Sequence, residues 1–440
     1  MVAAGLLACQ GQGEDPRAPP SGPEKVRVIV ETSANENPGD AASLVRFLHY
    51  QEAFEVEAVL ATGVRPDPGA PGFIERAIDA YGEIRSALLR IHPGLPEAAS
   101  LRARLAPTGD ADAAERAILD ALDRADPRPL WYLRWLPSQE PAGPSPLLRA
   151  LDRLRAGFSP EVYRAQVRRL RVIGEGLALG PHGSEIALWI DAQGAFDAKT
   201  DRHLTADPAF APRIEPKDGP LAALYPAGAL ELASRTFFYL LPNGLGVPHL
   251  PAYGGWGGRY VPDPGGGSNR WQALPADVAG TRDTWSLLPW ADDIRNDFQA
   301  RVEAAAGRES NRPPVVAVTA TTAKNREMGR DAASTAGEAA YDPHLPLSIG
   351  VLPGESVVLD ASASHDPDKD ALSFGWTVDL SSSSYAGAAE IAVSQAGPVI
   401  ELAIPDRLPE NQTLVLVLAV HDHGSPPLVR YRRMVIVRRQ

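Results

Sequence analysis

Three stretches of this chain carry residue types and spacings that could do chemistry. The first begins at Val26-Arg27-Val28-Ile29-Val30, apolar but for one charge, which empties into Glu31-Thr32-Ser33-Ala34-Asn35-Glu36-Asn37-Pro38-Gly39-Asp40. Open α/β sheets place their ligands where a strand gives way to such a loop and then a helix. Asp40 closes the loop, either as a ligand-binding acid or as the cap of the helix that follows, accepting N–H groups of its first turn. The second stretch is Asp360-Ala361-Ser362-Ala363-Ser364-His365-Asp366-Pro367-Asp368-Lys369-Asp370. Alternate carboxylates at Asp366, Asp368 and Asp370 resemble the opening of a calcium loop, although Ala371 stands where that loop needs glycine. A turn without metal is the other reading. The third is Tyr253-Gly254-Gly255-Trp256-Gly257-Gly258-Arg259-Tyr260. Its glycines permit close backbone approach, leaving Tyr253 and Trp256 as flat surfaces for a sugar ring and Arg259 as a planar donor. The same aromatics could instead be core residues bracing a glycine-rich turn. Asn243, in Pro-Asn-Gly, is a candidate contact and also a turn former. His92 and His249 lie beside proline and read as structural.

These stretches need elements to hold them. Val26–Val30, Glu57–Ala61, Pro129–Trp135 and Leu170–Ile173 read as strands. Ala41–Tyr50, Phe73–Ile91, Leu147–Arg155 and Pro160–Arg169 read as helices between them. That alternation predicts a mostly parallel sheet with helices on both faces. Residues 181–310 are irregular, rich in Gly and Pro, and contain Trp189, Trp256, Trp271, Trp285 and Trp290. They are expected to form a loop-rich cap, closed by a helix over Asp293–Ala306, with Gly307 to Pro314 as linker. Beyond it come short runs at Ser356–Leu359, Leu372–Val378, Val399–Ala403, Leu414–His421 and Tyr431–Arg438, separated by turn residues. They predict a small β-sandwich with Trp376 in its core. Thr319–His344 is expected to interrupt it as an insertion. The organisation is thus 1–25 as a tether, 26–310 as an α/β domain and 311–440 as a sandwich.

A net charge of −12 over 440 residues argues against a nucleic-acid partner, which calls for a basic face. A neutral glycan or nucleoside is compatible with it. Cys9 is the one cysteine, so no intramolecular disulfide can form. Its setting, Gly5-Leu6-Leu7-Ala8-Cys9, resembles the end of a bacterial lipoprotein signal, followed by a polar tether to Lys25. Only eight residues precede it, fewer than such a signal needs. The expectation is a protein of the cell envelope or exterior, with a lipid on Cys9 as its membrane contact.

Segment 26–60, with IDAYGEIRSALLRIHPGLP (78–96), DPRPLW (126–131), GPLAALYP (219–226) and YLLPNGLGVPHLPAYGGWGGRY (239–260), resembles the cellulose-binding, nucleoside-hydrolase-like family. From about Asn311 the chain resembles that family's Ig-like appendage, and the Asp366 turn resembles those of PKD-type modules. The resemblance implies a nucleoside-hydrolase-like fold and polysaccharide such as cellulose as partner. It also implies a calcium site at the end of the first strand, made by one early acid and a late pair. Ser33, Gly39 and Asp40 stand at those positions, so Asp40 alone retains a carboxylate. Ala233 stands where a further acid is expected, and Val172–Gly176 and Trp135–Ser138 depart from the family's pattern as well. Glu31, Asn35, Glu36 and Asn37 could rebuild a shifted site. The expectation is a degenerate, non-catalytic pocket, with a calcium-dependent N-glycosidase as the alternative.

Overall fold

The first strand, β1 (Val26–Thr32), is buried on both faces, which is why its sequence does not alternate. Its one internal charge, Arg27, donates to Glu57 Oε1 at 2.7 Å and to the Ala121 carbonyl at 2.9 Å. The structure, a computed structural model, describes residues 24–62, 71–135, 145–192, 214–229, 231, 233–273, 288–322, 342–393 and 397–439. Cys9 and the tether lie outside these residues. Among them, no helix is long and apolar enough to cross a membrane.

The helix α1 (Pro38–Leu48) begins where Asn37 Oδ1 accepts from Gly39 N, with Pro38 pre-set for the first turn. Then follow β2 (Phe54–Ala61), α2 (Phe73–Leu88), α3 (Ala98–Arg102), β3 (Leu105–Ala106), α4 (Ala111–Asp123) and β4 (Leu130–Arg134). After them come α5 (Pro146–Gly157), α6 (Pro160–Val167), β5 (Leu170–Gly174) and β6 (Leu188–Asp191). The short α7 (Ser234–Phe238), β7 (Tyr260–Pro262), β8 (Arg270–Ala273) and α8 (Ala291–Ala305) complete this part. The strands form one eight-stranded sheet in the order β3-β2-β1-β4-β5-β6-β8-β7, parallel except for β7. The direction of winding reverses between β1 and β4, which opens a crevice at the C-terminal ends of those two strands.

Residues 181–310 therefore supply three strands to the sheet and are more than a cap. Four-residue runs such as Leu188–Asp191 are too short for alternation to reveal them. One face of the sheet packs under α4, α5 and α6, around Ile118, Leu151 and Tyr163. The other packs under α1, α2 and α8, around Phe47, Tyr81 and Phe298.

The remaining strands are β9 (Thr319–Thr322), β10 (Leu347–Val351), β11 (Ser356–Asp360), β12 (Leu372–Val378), β13 (Val399–Ala403), β14 (Thr413–Asp422) and β15 (Val429–Arg438). They form a β-sandwich of a four-stranded sheet, β10-β15-β14-β12, against a three-stranded one, β13-β11-β9. Trp376 is 1 % exposed in its core, its indole N–H donating to the Gly397 carbonyl at 3.1 Å. The expected insertion over Thr319–His344 begins as a strand, β9, that pairs with β11. β10 also escaped sequence reading, and it pairs parallel to β15.

The two parts share apolar core. Val417, Val429 and Tyr431 of the sandwich belong to the same cluster as Phe238 and Trp256.

Candidate functional site

The crevice between β1 and β4 is where this sheet should present a ligand, and Asp40 lies at its edge, 4 % exposed. Asp40 Oδ2 accepts from Ser33 N at 2.8 Å, Ser33 Oγ at 2.9 Å and Thr32 Oγ1 at 3.2 Å. It therefore ties the end of β1 to α1 and does not cap the helix, a task that falls to Asn37. Burial pushes the Asp40 carboxyl up to about 6, against the pull of the Ser33 and Thr32 hydrogen bonds. Glu31, fully buried beside it, is also pushed up by burial. Its Oε2 accepts from the Tyr132 hydroxyl at 2.9 Å and stands 3.6 Å from Arg134 Nε.

Arg134 continues the network, donating to the Glu175 carbonyl at 2.6 Å. The Glu175 carboxylate meets Arg235, whose guanidinium is pulled down to about 10 by burial. Two buried guanidinium groups thus occupy the crevice floor. Trp135 fills what remains, its indole N–H donating to Thr236 Oγ1 at 2.8 Å and its ring edge-on to Phe47 at 5.5 Å. Ala233 is buried and has no side-chain oxygen to offer.

Few carboxylate oxygens of this floor are left for a calcium ion. All three donors at Asp40 converge on one of its oxygens, and the positive charge beside Glu31 is already supplied by Arg134. Among the described residues, no three His, Cys, Asp or Glu side chains group so as to hold a metal. Asp40, expected as a metal ligand, is here held by Ser33 and Thr32 at the end of β1. Beside Glu31, the fixed guanidinium charge of Arg134 stands in the role a cation would otherwise fill.

The aromatic block also has a different place from the one expected. Trp256 is 2 % exposed, edge-on to Phe238 at 6.5 Å and to Tyr431 at 6.4 Å. Asn243 is buried, with its carbonyl accepting from Tyr431 N at 2.9 Å and its Oδ1 from Leu245 N at 3.0 Å. The Pro-Asn-Gly turn thereby runs alongside β15. Arg259 donates to Asp379 Oδ1 at 3.2 Å, and Arg433 donates to the Oδ2 of the same carboxylate at 2.6 Å. Those two cations hold the Asp379 carboxyl below its usual range in spite of burial. Trp256, Asn243 and Arg259 therefore join the α/β part to the sandwich, with Trp256 and Asn243 buried in that joint. Gly257 is required there, because a Cβ would collide with the backbone of Tyr239.

Tyr253 differs from its neighbours. It is half-buried on the rim of a cleft of about 390 Å³ between the two parts, lined also by Arg259, Trp290, Thr377, Asp379 and Leu380. That volume lies within the ~300–1,000 Å³ of small-molecule sites. Trp290 is half-buried, and Leu380 is 54 % exposed. Sequence reading missed Trp290, Asp379 and Leu380 as a group, because 89 residues separate Trp290 from Asp379 and no local pattern links them.

In the sandwich, Asp368 is taken by Arg312, which donates from Nε at 2.8 Å and from its backbone N at 2.8 Å. Asp366 Oδ1 accepts from the backbone of Asp368 at 2.7 Å and of Asp370 at 3.1 Å. The three carboxylates consequently do not converge as a calcium loop; Asp366 folds inward while Asp368 faces the linker.

Comparison with known proteins follows the same division. The description "Cellulose-binding Sde182, nucleoside hydrolase-like domain" matches residues 27–176 and 182–260. "Cellulose-binding protein Sde0182, C-terminal domain" matches residues 356–438. Among solved structures, the chain is similar to a nucleoside hydrolase-related hypothetical protein from Saccharophagus degradans that is associated with carbohydrate metabolism. The two are 25 % identical, with a TM-score of 0.74 over 94 % of this chain and 100 % of that one. No curated protein matches.

Proposed function

The chain belongs to the cellulose-binding, nucleoside hydrolase-like family, and from that premise we propose that it is an exported surface protein that binds cellulose or a related polysaccharide without hydrolysing a nucleoside. The observation that carries the binding reading is the cleft between the two parts. Tyr253, over whose ring the Arg433 guanidinium lies at 5.1 Å, and Trp290 line it, and the C–H-rich face of a pyranose packs on such rings. The Thr377 side chain adds a hydroxyl. The charges in the cleft are already matched, Asp379 with Arg259 and Arg433, so a neutral ligand is favoured over an ion.

The non-catalytic reading rests on the crevice floor. Glycosidic cleavage of a riboside needs an activated water, a base and contacts to the sugar hydroxyls. Trp135, Arg134 and Arg235, engaged with Thr236, Glu31 and Glu175 at the crevice floor, support this reading. Lipid on Cys9 and an Ig-like ancestry of the sandwich belong to the same proposal.

Depletion of the full-length protein from solution by insoluble cellulose is the test. Retention above that of albumin, weakened in Tyr253→Ala and Trp290→Ala, is expected. Retention equal to albumin would remove the reading. Release of base from inosine or of nitrophenol from a nitrophenyl riboside, lost in Asp40→Ala, would replace it with the glycosidase.

A further inference from the structure

Where the chain leaves α8 and enters the sandwich, three side-chain oxygens are buried without any hydrogen-bond partner: Asp366 Oδ2, Asp422 Oδ2 and Asn311 Oδ1. Their residues are 8 %, 1 % and 8 % exposed. They come from the connecting segment, the turn after β11 and the end of β14. Asn311 Nδ2 donates to Asp422 Oδ1 at 2.9 Å and to the Pro426 carbonyl at 2.9 Å. Asp422 Oδ1 also accepts from Gly424 N at 3.0 Å and Leu428 N at 2.9 Å. Asp366 Oδ1 is held by the backbone of Asp368 and Asp370. Each carboxylate thus has one oxygen fixed by N–H groups and one left with no donor.

The charges are equally unbalanced. Among the described residues, no ion pair reaches Asp366 or Asp422, and the neighbouring Arg312 is engaged by Asp368. Burial, and after the local hydrogen bonds the charge of Asp366, shift the Asp422 carboxyl, the net direction being upward. Two buried carboxylates within each other's field, with the nearby Arg312 hydrogen-bonded to Asp368 and not to either of them, are costly. A buried polar atom with no partner calls for an ion or a water. Gly424 completes the cradle, since a Cβ there would run into the Asn311 amide.

We propose that Asp366, Asp422 and Asn311 bind a calcium ion that fastens the segment after Ser310 to the sandwich, with water completing its shell. The donor set is all oxygen, which suits a hard cation and not zinc or copper. Calcium accepts irregular oxygen shells, whereas magnesium demands near-octahedral geometry, so calcium is the ion proposed. With two charged ligands, a dissociation constant of ~10⁻⁴–10⁻³ M is expected, as in extracellular modules. The site differs from the Asp366-Asp368-Asp370 alternation in the sequence, of which it keeps only the first member.

The experiment is calorimetric titration of chelator-treated full-length protein with calcium chloride, with thermal unfolding measured in the same buffers. Binding and a raised melting temperature are expected in wild type, in Asp368→Asn and in Asp40→Asn. Both should be lost in Asp366→Asn and Asp422→Asn. Absence of binding by folded wild-type protein would overturn the proposal. So would binding that survives both Asp366→Asn and Asp422→Asn, or that is lost in Asp40→Asn, which would move the ion to the strand-end crevice.

Discussion

Replacing Trp256 by alanine separates a joint from a sugar platform. The side chain is 2 % exposed, and its neighbours Phe238 and Tyr431 come from the two different parts of the molecule. A buried aromatic removes ~150–250 Å² from water, which at ~25 cal/mol per Å² is about 4–6 kcal/mol. Measured Trp→Ala changes in cores cost about 3–5 kcal/mol. Trp256→Ala should therefore lose ~4 kcal/mol of unfolding free energy. Because the loss falls on contacts between the parts, a single urea transition followed by circular dichroism should split into two, each with a smaller denaturant slope. Cellulose retention by the folded variant at low temperature should be unchanged. A loss below about 1 kcal/mol, combined with lost retention, would show that Trp256 meets sugar and would refute the joint.

Asp379→Asn should destabilise by ~3 kcal/mol, since it leaves the buried Arg433 without its carboxylate; urea unfolding measures it, and a neutral result would mean the clamp is idle. Gly257→Ala should cost about 1–3 kcal/mol through overpacking against Tyr239, read from the melting temperature. Asp40, with its carboxyl pushed up to about 6, holds its proton more tightly folded than unfolded. Its contribution is present below pH ~4 and is lost as pH rises through 6, by up to ~3 kcal/mol. Asp40→Asn should remove that slope, and an unchanged pH profile would contradict the buried setting. His49 and His92 are pulled down to about 4, chiefly by burial. Their stabilisation is present above pH ~6.5 and is lost as pH falls towards 4; His92→Gln should flatten that acid limb of the urea midpoint.

The α/β order was legible at β1, β2, β4 and β5, where each buried strand is a largely apolar run, whereas the two-residue β3 and the helices α3 and α4 before β4 were not recognised. Trp376 declared itself by standing within an alternating strand. What stayed hidden depends on distance along the chain. The short strands β6 and β8 are stabilised by neighbours in the sheet and carry no period of their own. The glycine-aromatic block could be recognised as special, yet the direction in which Trp256 faces is set by Tyr431, 175 residues away. Asp40 could be seen as a surviving acid, whereas the guanidinium groups of Arg134 and Arg235 beside it could not. For the same reason the pairing of Asp366 with Asp422 and Asn311 is invisible in a local acidic motif.

The span between Trp256 and Tyr431 also sets a timetable. Chains emerge during synthesis at ~5–20 residues per second, and N-terminal units tend to fold first. The α/β part therefore waits about 10–35 s, with Trp256 and Phe238 uncovered, before the strand that covers them has been made. For that interval the nascent protein carries an adhesive patch that the finished one lacks. Chaperone capture, premature release or truncation upstream of β15 should all act on it, and the fluorescence of Trp256 would mark the moment at which the last strand docks.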